Sequence, residues 1–236
     1  MTGDGGTREG ARSAPAARGP SRSKPPPSLG GGEPARGRAL GRQGQRTVRK
    51  LLEAGLAEFD TRGFQGVRVD DVVRRASISH GTFYLYFSNK DDLFKTLLRD
   101  ALDDMQVITD EFPVVTRNES GRAALRQWVH RFCDVYAAHA TVIRILSQAD
   151  PVEEEVYGDG LQMLFRLAEA ITQGMTAGAA AADGGAGRTE HAELTAVACL
   201  LMLERVNYLL SVEVRLPREE MEDRVSAIIY AAFHLA

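Results

Sequence analysis

An all-α architecture in two helical units follows from three features of the sequence. From Gly41 onward, apolar residues recur at three- and four-residue spacing, while the strict alternation of a half-buried strand is nearly absent. Start and stop signals punctuate that pattern: Gly63 after Phe59-Asp60-Thr61-Arg62, Ser79, Ser88-Asn89, Asp150-Pro151 and Leu216-Pro217. A chain of 236 residues, 44% hydrophobic, is also long enough for two compact units.

The first segment, residues 1–40, is set apart by composition. It is rich in Gly and Pro, with Pro25-Pro26-Pro27 and Gly30-Gly31-Gly32, and poor in large apolar residues, so it is expected to be a disordered basic tail. Residues 1–50 hold eleven Lys/Arg against three Asp/Glu; the formal net charge of −3 therefore divides into a front of +8 and a remainder of −11. A basic front on an acidic body suits one polyanion-binding end, and a solvated tail accounts for the same charge. Arg36, Arg38, Arg42, Arg46 and Arg49 are placed to follow DNA phosphates or enter a minor groove as auxiliary affinity.

Residues 41–89 read as a three-helix unit. Val48, Leu52, Leu56 and Phe59 line one helix face, and Gly63 ends that helix. A short helix, Val69–Ala76, turns Val69, Val72, Val73 and Ala76 inward. A three-residue turn places Ile78 in the core, and Ser79 caps a second short helix whose Phe83 and Phe87 are buried at i, i+4. This is the physics of a helix-turn-helix: His80, Thr82, Tyr84 and Tyr86 are expected on the side away from the core, where a major groove could receive them. Ser88 or Asn89 caps the next helix, with Asp91 and Asp92 at its positive end, and that helix runs towards Phe112-Pro113.

The run Ser79-His80-Gly81-Thr82-Phe83-Tyr84-Leu85-Tyr86-Phe87, followed by Lys90, resembles the signature of the tetracycline-repressor (TetR) family of bacterial regulators, and the Gly63-Phe64 entry and the Val69–Ala76 helix agree with it. The resemblance covers about residues 42–100. It implies an all-α homodimer with an N-terminal three-helix helix-turn-helix DNA-binding domain and a C-terminal helical ligand-binding and dimerisation domain. Carried over by position, the groove-facing residues fall on His80, Gly81, Thr82, Tyr84 and Tyr86, and the phosphate-contacting lysine falls on Lys90. A lysine in the first turn of a helix opposes the macrodipole at about 0.3–1 kcal/mol, which a bound phosphate would offset. Arg68 stands where the family often has a Thr or Ser cap and is in reach of a phosphate, Ser77 stands where a turn Gly is usual, and His80 stands where a basic residue is common.

Residues 90–236 read as a second, all-helical unit, with helices over 120–138, 139–149, 151–178, 189–212 and 217–235 and a flexible loop over Ala179–Arg188. Trp128, Phe132, Tyr136, Phe165 and Met202 are candidates for lining a cavity for an unidentified small-molecule effector, although plain core packing accounts for most such residues. His139, Arg144, Glu204, Arg205 and Asn207 could orient a ligand or make structural ion pairs. The last two helices are long and apolar (Leu200, Leu201, Leu203, Val206, Leu209, Leu210, then Val225, Ile228, Ile229 and Phe233), and pairs of such helices form a two-fold four-helix bundle. The expected partners are therefore double-stranded operator DNA, a second copy of the chain and an effector, and the expected function is a sequence-specific repressor released from its operator by a ligand. The alternative is a helical small-molecule-binding or adaptor protein without DNA readout.

Other classes find little support. Ser21-Arg22-Ser23-Lys24 matches Ser-x-x-Lys without its partner motifs, and His191-Ala192-Glu193 lacks the following Pro-Cys-x-x-Cys that would ligate zinc. There is no Gly-rich phosphate loop, so no enzyme, metal or cofactor is expected. Cys133 and Cys199 do not form a disulfide framework. No run nears the roughly 18 unbroken apolar residues of a membrane span, and Met1–Leu40 has no apolar signal core, so the expected location is the cytoplasm, with no membrane partner.

Overall fold

The computed structural model describes residues 40–147, 154–183, 191–212 and 217–234; apart from Leu40, the tail assigned to residues 1–40 lies outside them. Nine helices follow one another among the described residues: α1 (Arg42–Gly66), α2 (Val69–Ala76), α3 (His80–Tyr86), α4 (Lys90–Asp110), α5 (Glu119–Ala138), α6 (Ala140–Ser147), α7 (Glu154–Asp183), α8 (Ala192–Val212) and α9 (Arg218–His234). The expected all-α class holds.

Local chemistry sets the first four. Gly63 interrupts α1 with φ 68°, ψ 166°, a conformation that costs a residue without Cβ little. The break turns Phe64 inward, where its ring lies 5.5 Å from that of Phe59 and 5.1 Å from that of Phe94. The N-terminus of α2 is closed when the Asp71 carboxylate accepts the backbone N–H of Arg68 at 3.1 Å. Its other end stops at Ser77, held left-handed at φ 54°, ψ 47°, so the turn anticipated from sequence is made without glycine. Ser79 caps α3 by accepting the Thr82 N–H (3.1 Å), and Asn89 caps α4 by accepting the Asp92 N–H (2.8 Å).

Two buried carboxylates fasten α1 to α2. Arg62 stands between them, 3.1 Å from Glu58 Oε2 and 3.0 Å from Asp71 Oδ1, while Arg75 approaches Glu58 at 2.6 Å and Arg74 approaches Asp71 at 3.4 Å. The Arg68 N–H holds the Asp71 carboxyl below the usual carboxylate range, and Arg62 and Arg74 act in the same sense against desolvation.

Two apolar cores result. The first gathers Leu51, Phe59, Val72, Phe83, Phe87 and Leu93, all almost wholly buried. The second gathers Leu125, Trp128, Phe132, Ile171, Met175 and Leu203 from α5, α7 and α8, with Val225 and Ile229 from α9. The sequence placed a boundary between residues 89 and 90, but α4 belongs to both cores: Leu93–Ala101 pack in the first and Ile108 in the second. A second element crosses over. Helix α6 sends Val142 and Ile145 into the first core, and Thr141 and Arg144 both donate to Asp60 Oδ1 of α1, at 2.7 and 2.8 Å. At its start His139 pairs with Asp104 of α4 at 2.8 Å.

The chain between α4 and α5 lies directly on α7. Val115 N–H donates to the Gly174 carbonyl at 3.0 Å, and a Cβ on either Gly174 or Gly178 would overlap the backbone carbonyl of Pro113 or Val115. The sequence assigned Ala179–Arg188 to a loop. Residues 179–183 instead continue α7, because a run of alanines carries the highest helix propensity; residues 184–188 fall outside the described residues. The proposed start at Asp150-Pro151 also falls outside them. Cys133 and Cys199 are free thiols, each pushed up to about 11 by burial.

Two outcomes test this packing. Gly178→Ala forces a methyl against the Val115 carbonyl and should lower stability by about 1–3 kcal/mol, despite its better helix propensity, as read by urea unfolding. The lowered pKa of Asp71 stabilises the fold above the unfolded carboxylate pKa, a contribution lost as pH falls through the folded value. The stability gap between wild type and Asp71→Asn should thus be largest at neutral pH and close in acid. A gap independent of pH would contradict the charge-based account.

Candidate nucleic-acid interface

Seven residues make α3, and two of them anchor it. Phe83 and Phe87 are fully buried, with ring centroids 5.7 Å apart, and fix the rotation of the helix about its axis. At 100° per residue the opposite face then carries Gly81 and Leu85, with Thr82 and Tyr84 towards its two edges, and His80 is exposed at the start of the helix. Tyr84 is 40% and Leu85 47% exposed.

Tyr86 departs from the expectation that it stands clear of the core. It lies three residues after Phe83, close to the same face, and packs half-buried against the first core with its hydroxyl beside Gly44 of α1. The alternation that set Tyr86 beside Tyr84 has a strand's period. A helical period would have moved Tyr86 towards the rim and brought out Leu85, which the sequence reading passed over.

His80 is exposed and fixed. Its Nε2 lies 2.6 Å from Asp70 Oδ1 on α2, so a carboxylate from the neighbouring helix orients the imidazole. Thr82 shares a hydrogen bond with the Ser79 hydroxyl at 2.9 Å. Gly81 is helical, and a Cβ there would meet only Ser79 Oγ, at 3.9 Å. Nothing among the described residues requires glycine at this point, although it weakens a helix by about 1 kcal/mol relative to alanine.

Lys90 opens α4 and is half-buried. Its ammonium donates to the Phe64 carbonyl at 2.9 Å and sits 4.6 Å from the centroid of the Phe64 ring. The break at Gly63 therefore gives this lysine a partner that no local sequence signal revealed. Its remaining N–H groups are the ones left for a phosphate. Arg68 is exposed ahead of α2, and Arg42, Arg46 and Arg49 are exposed along the start of α1.

The residues proposed to bind an effector do not form one lining. Trp128, Phe132 and Tyr136 are buried along α5 in a stack with Phe112, where centroids lie 4.7, 5.5 and 6.1 Å apart in succession. Trp128 donates to the Ile108 carbonyl at 2.9 Å and Tyr136 to Glu204 Oε1 at 3.2 Å. Burial is the first cause pushing the Tyr136 hydroxyl pKa upward, and Glu204 adds to it. Met202 flanks this core on α8. Phe165 must be corrected: at 63% exposed it lies on the outer surface of α7, since the inward face there is taken by Met163, Leu167 and Ala168. His139 and Arg144 make the ion pairs already described, and Asn207 donates to the Leu203 carbonyl at 2.8 Å. Open grooves of ≈ 860 Å³ between α5 and α9 and ≈ 430 Å³ between α1 and α4 are lined by other residues, among them Arg122, His130 and Glu222 in the first and Val48, Leu52 and Asp100 in the second.

Helix α8 is long and apolar enough to cross a membrane by length and composition, over Ala192–Ser211. Its inner face, including Ala196, Leu200 and Leu203, is buried in the second core. Leu194, Leu201 and Leu209 remain exposed, as does Ile228 on α9, so the apolar residues of these helices divide between the chain's own core and an open surface.

The model describing bacterial regulatory proteins of the tetR family matches residues 51–97, from the middle of α1 into α4. An HTH-type transcriptional repressor of Streptomyces coelicolor is 30% identical over 105 residues, 44% of this chain and 50% of that protein. The HTH-type transcriptional regulator BetI of Burkholderia ambifaria is 32% identical over 103 residues, 43% of this chain and 53% of BetI. The chain thus spans about half the length of these curated relatives. The fold extends further: a tetR-family transcriptional regulator from Streptomyces coelicolor superposes with a TM-score of 0.61 at 21% identity, covering 82% of each chain. A TetR-like transcriptional regulator from Rhodococcus gives 0.60 at 21% identity, covering 82% of this chain and 95% of the other. The helix-turn-helix segment is thus matched in sequence by the TetR family of bacterial regulatory proteins, and the helical body is matched in fold by solved members of that family.

Proposed function

We propose that this protein is a sequence-specific, non-catalytic DNA-binding transcription regulator, a repressor that a small-molecule effector releases from its operator in the cytoplasm. One observation carries the reading: α3 is locked by Phe83 and Phe87 while His80, Gly81 and Tyr84 stand on its solvent side. A short helix held rigidly with hydrogen-bonding side chains outward suits the floor of a major groove. Arg68, together with Arg42, Arg46 and Arg49, would meet phosphates on either side. Lys90 would add a phosphate contact while keeping its bond to the Phe64 carbonyl. The matched relatives, one named a repressor, support the regulatory role.

Operator binding by this fold requires two copies. We assign the two-fold contact to the open surface of α8 and α9, where Leu194, Leu201, Leu209 and Ile228 are exposed. The dimer must then hold its two α3 helices about 34 Å apart to enter successive major grooves on one face of a duplex. The effector acts in the helical body, and α4 and α6, which belong to or penetrate the first core, carry its effect to α3. A 10³-fold loss of operator affinity needs roughly 4 kcal/mol of difference in effector affinity between the two states, within reach of one moderately buried ligand.

Replacing Tyr84 with alanine removes no member of either core, only an edge contact with the Phe83 ring, and should weaken binding to a selected operator duplex by about ten- to a hundredfold in a mobility-shift titration. Undiminished binding would remove Tyr84 from the interface. For Lys90→Met the plot of log affinity against log salt should be shallower by about one for each lysine lost, with all sequences weakened alike. A slope equal to wild type would confine Lys90 to its bond with Phe64.

A further inference from the structure

The first four helices expose almost no apolar bulk. From Leu40 to Gln106, Tyr84 and Leu85 are the only large hydrophobic or aromatic side chains on the surface of the described residues, and they are adjacent in α3. Single exposed leucines are ordinary, but this one has a defined setting. It lies one helical turn after Gly81, whose missing side chain leaves a notch that packing within the chain does not explain. His80 and Tyr84, both exposed, bring hydrogen-bonding groups to the same short helix, and the other exposed residues of that helix and its caps are polar or glycine.

From this setting we infer that Leu85 is a specificity-determining residue that reads the C5-methyl group of thymine, with Gly81 allowing the helix close enough for the contact. The inference rests on the proposed DNA-binding function. The chemistry of the groove selects the partner. Among base edges in the major groove the thymine methyl is the one projecting apolar group; cytosine offers only a C5–H at that position, and the remaining edge atoms that project are hydrogen-bond donors or acceptors. A leucine gains nothing against those polar edges, whereas His80 and Tyr84 can use them. An apolar knob between polar neighbours therefore matches a site in which thymine is set among bases read by hydrogen bonds. Leu85 makes no use of the protein's own cores, so its bulk is available to the duplex.

The test removes the methyl from the DNA and leaves the protein intact. A duplex selected from random sequence by the full-length protein is compared with the same duplex carrying deoxyuridine in place of every thymidine. Loss of one buried methyl should cost about fourfold in affinity, and two half-sites on the order of tenfold. Wild type should show that loss. Leu85→Ala should bind the thymine duplex about as weakly as wild type binds the uracil duplex, and should lose less than about twofold more when thymine is replaced. Leu85→Met, of similar bulk, should keep the sensitivity of wild type. Equal binding of both duplexes by wild type would overturn the inference, as would a full drop retained by Leu85→Ala, which would assign the methyl contact to another side chain such as Tyr84. A wild-type protein with no preference for the selected duplex over random DNA would overturn the DNA-binding reading itself. Selective binding indifferent to the methyl group would leave that reading standing and remove only the role of Leu85.

Discussion

The structure depends on one continuous helix serving two cores. Helix α4 carries Leu93, Phe94 and Leu97 into the packing that holds α3 and, further on, Ile108 into the packing of the helical body. A hydrogen-bonded helix of this length does not flex cheaply between those sites, so the orientation of α3 is referred to the helical body through a rigid member. The polar ties obey the same constraint. His139 holds Asp104 on α4, while Thr141 and Arg144 hold Asp60 on α1, and α6 is thereby joined to both helices that frame the first core.

The ion pairs divide by burial, and that division matters to their roles. Glu58 and Asp71 are almost fully buried and share Arg62, an arrangement in which loss of one member leaves an uncompensated charge. They fix α2, and through Asp70, one residue before Asp71, also the partner of His80. Asp60 is more exposed, and its pairing with Arg144 is correspondingly weaker. The angle between α1 and α2 is thus held firmly, while the seat of α6 against α1 is held more loosely.

Much of the first core was legible because it is written in local chemistry. Gly63 announces a break, Ser79 and Asn89 announce caps, and the i, i+4 spacing of Phe83 and Phe87 defines a buried side. Ser77 was expected in a turn and adopts a left-handed one. The failures came where tertiary contacts decide. Leu85 and Tyr86 exchange the roles that alternation suggested, because in so short a helix the two anchors alone settle the rotation. Phe165 carries as much apolar surface as any core residue, yet the inward face of α7 was already filled. The engagement of Lys90 with the Phe64 carbonyl joins residues 26 apart, and the entry of Val142 and Ile145 into the first core joins a helix of the second unit to the first. Neither leaves a periodicity to detect. Residues 179–183 were misread for a different reason: a small-residue run followed by Gly184-Gly185 has a loop's composition and, in its alanine part, a helix's propensity.

The two glycines of α7 have a mechanical consequence. By letting the segment after α4 lie in backbone contact with α7, Gly174 and Gly178 pin the lower end of α4 and make it a fulcrum. Were the helical body to shift, the upper end of α4 would swing about that point. From Ile108 to Leu93 the arm is about 22 Å long at 1.5 Å per residue, so a tilt of about 10° moves the Leu93 end by roughly 4 Å. In the dimer proposed above, a displacement of that size on each side would carry the two α3 helices out of step with the pitch of a duplex.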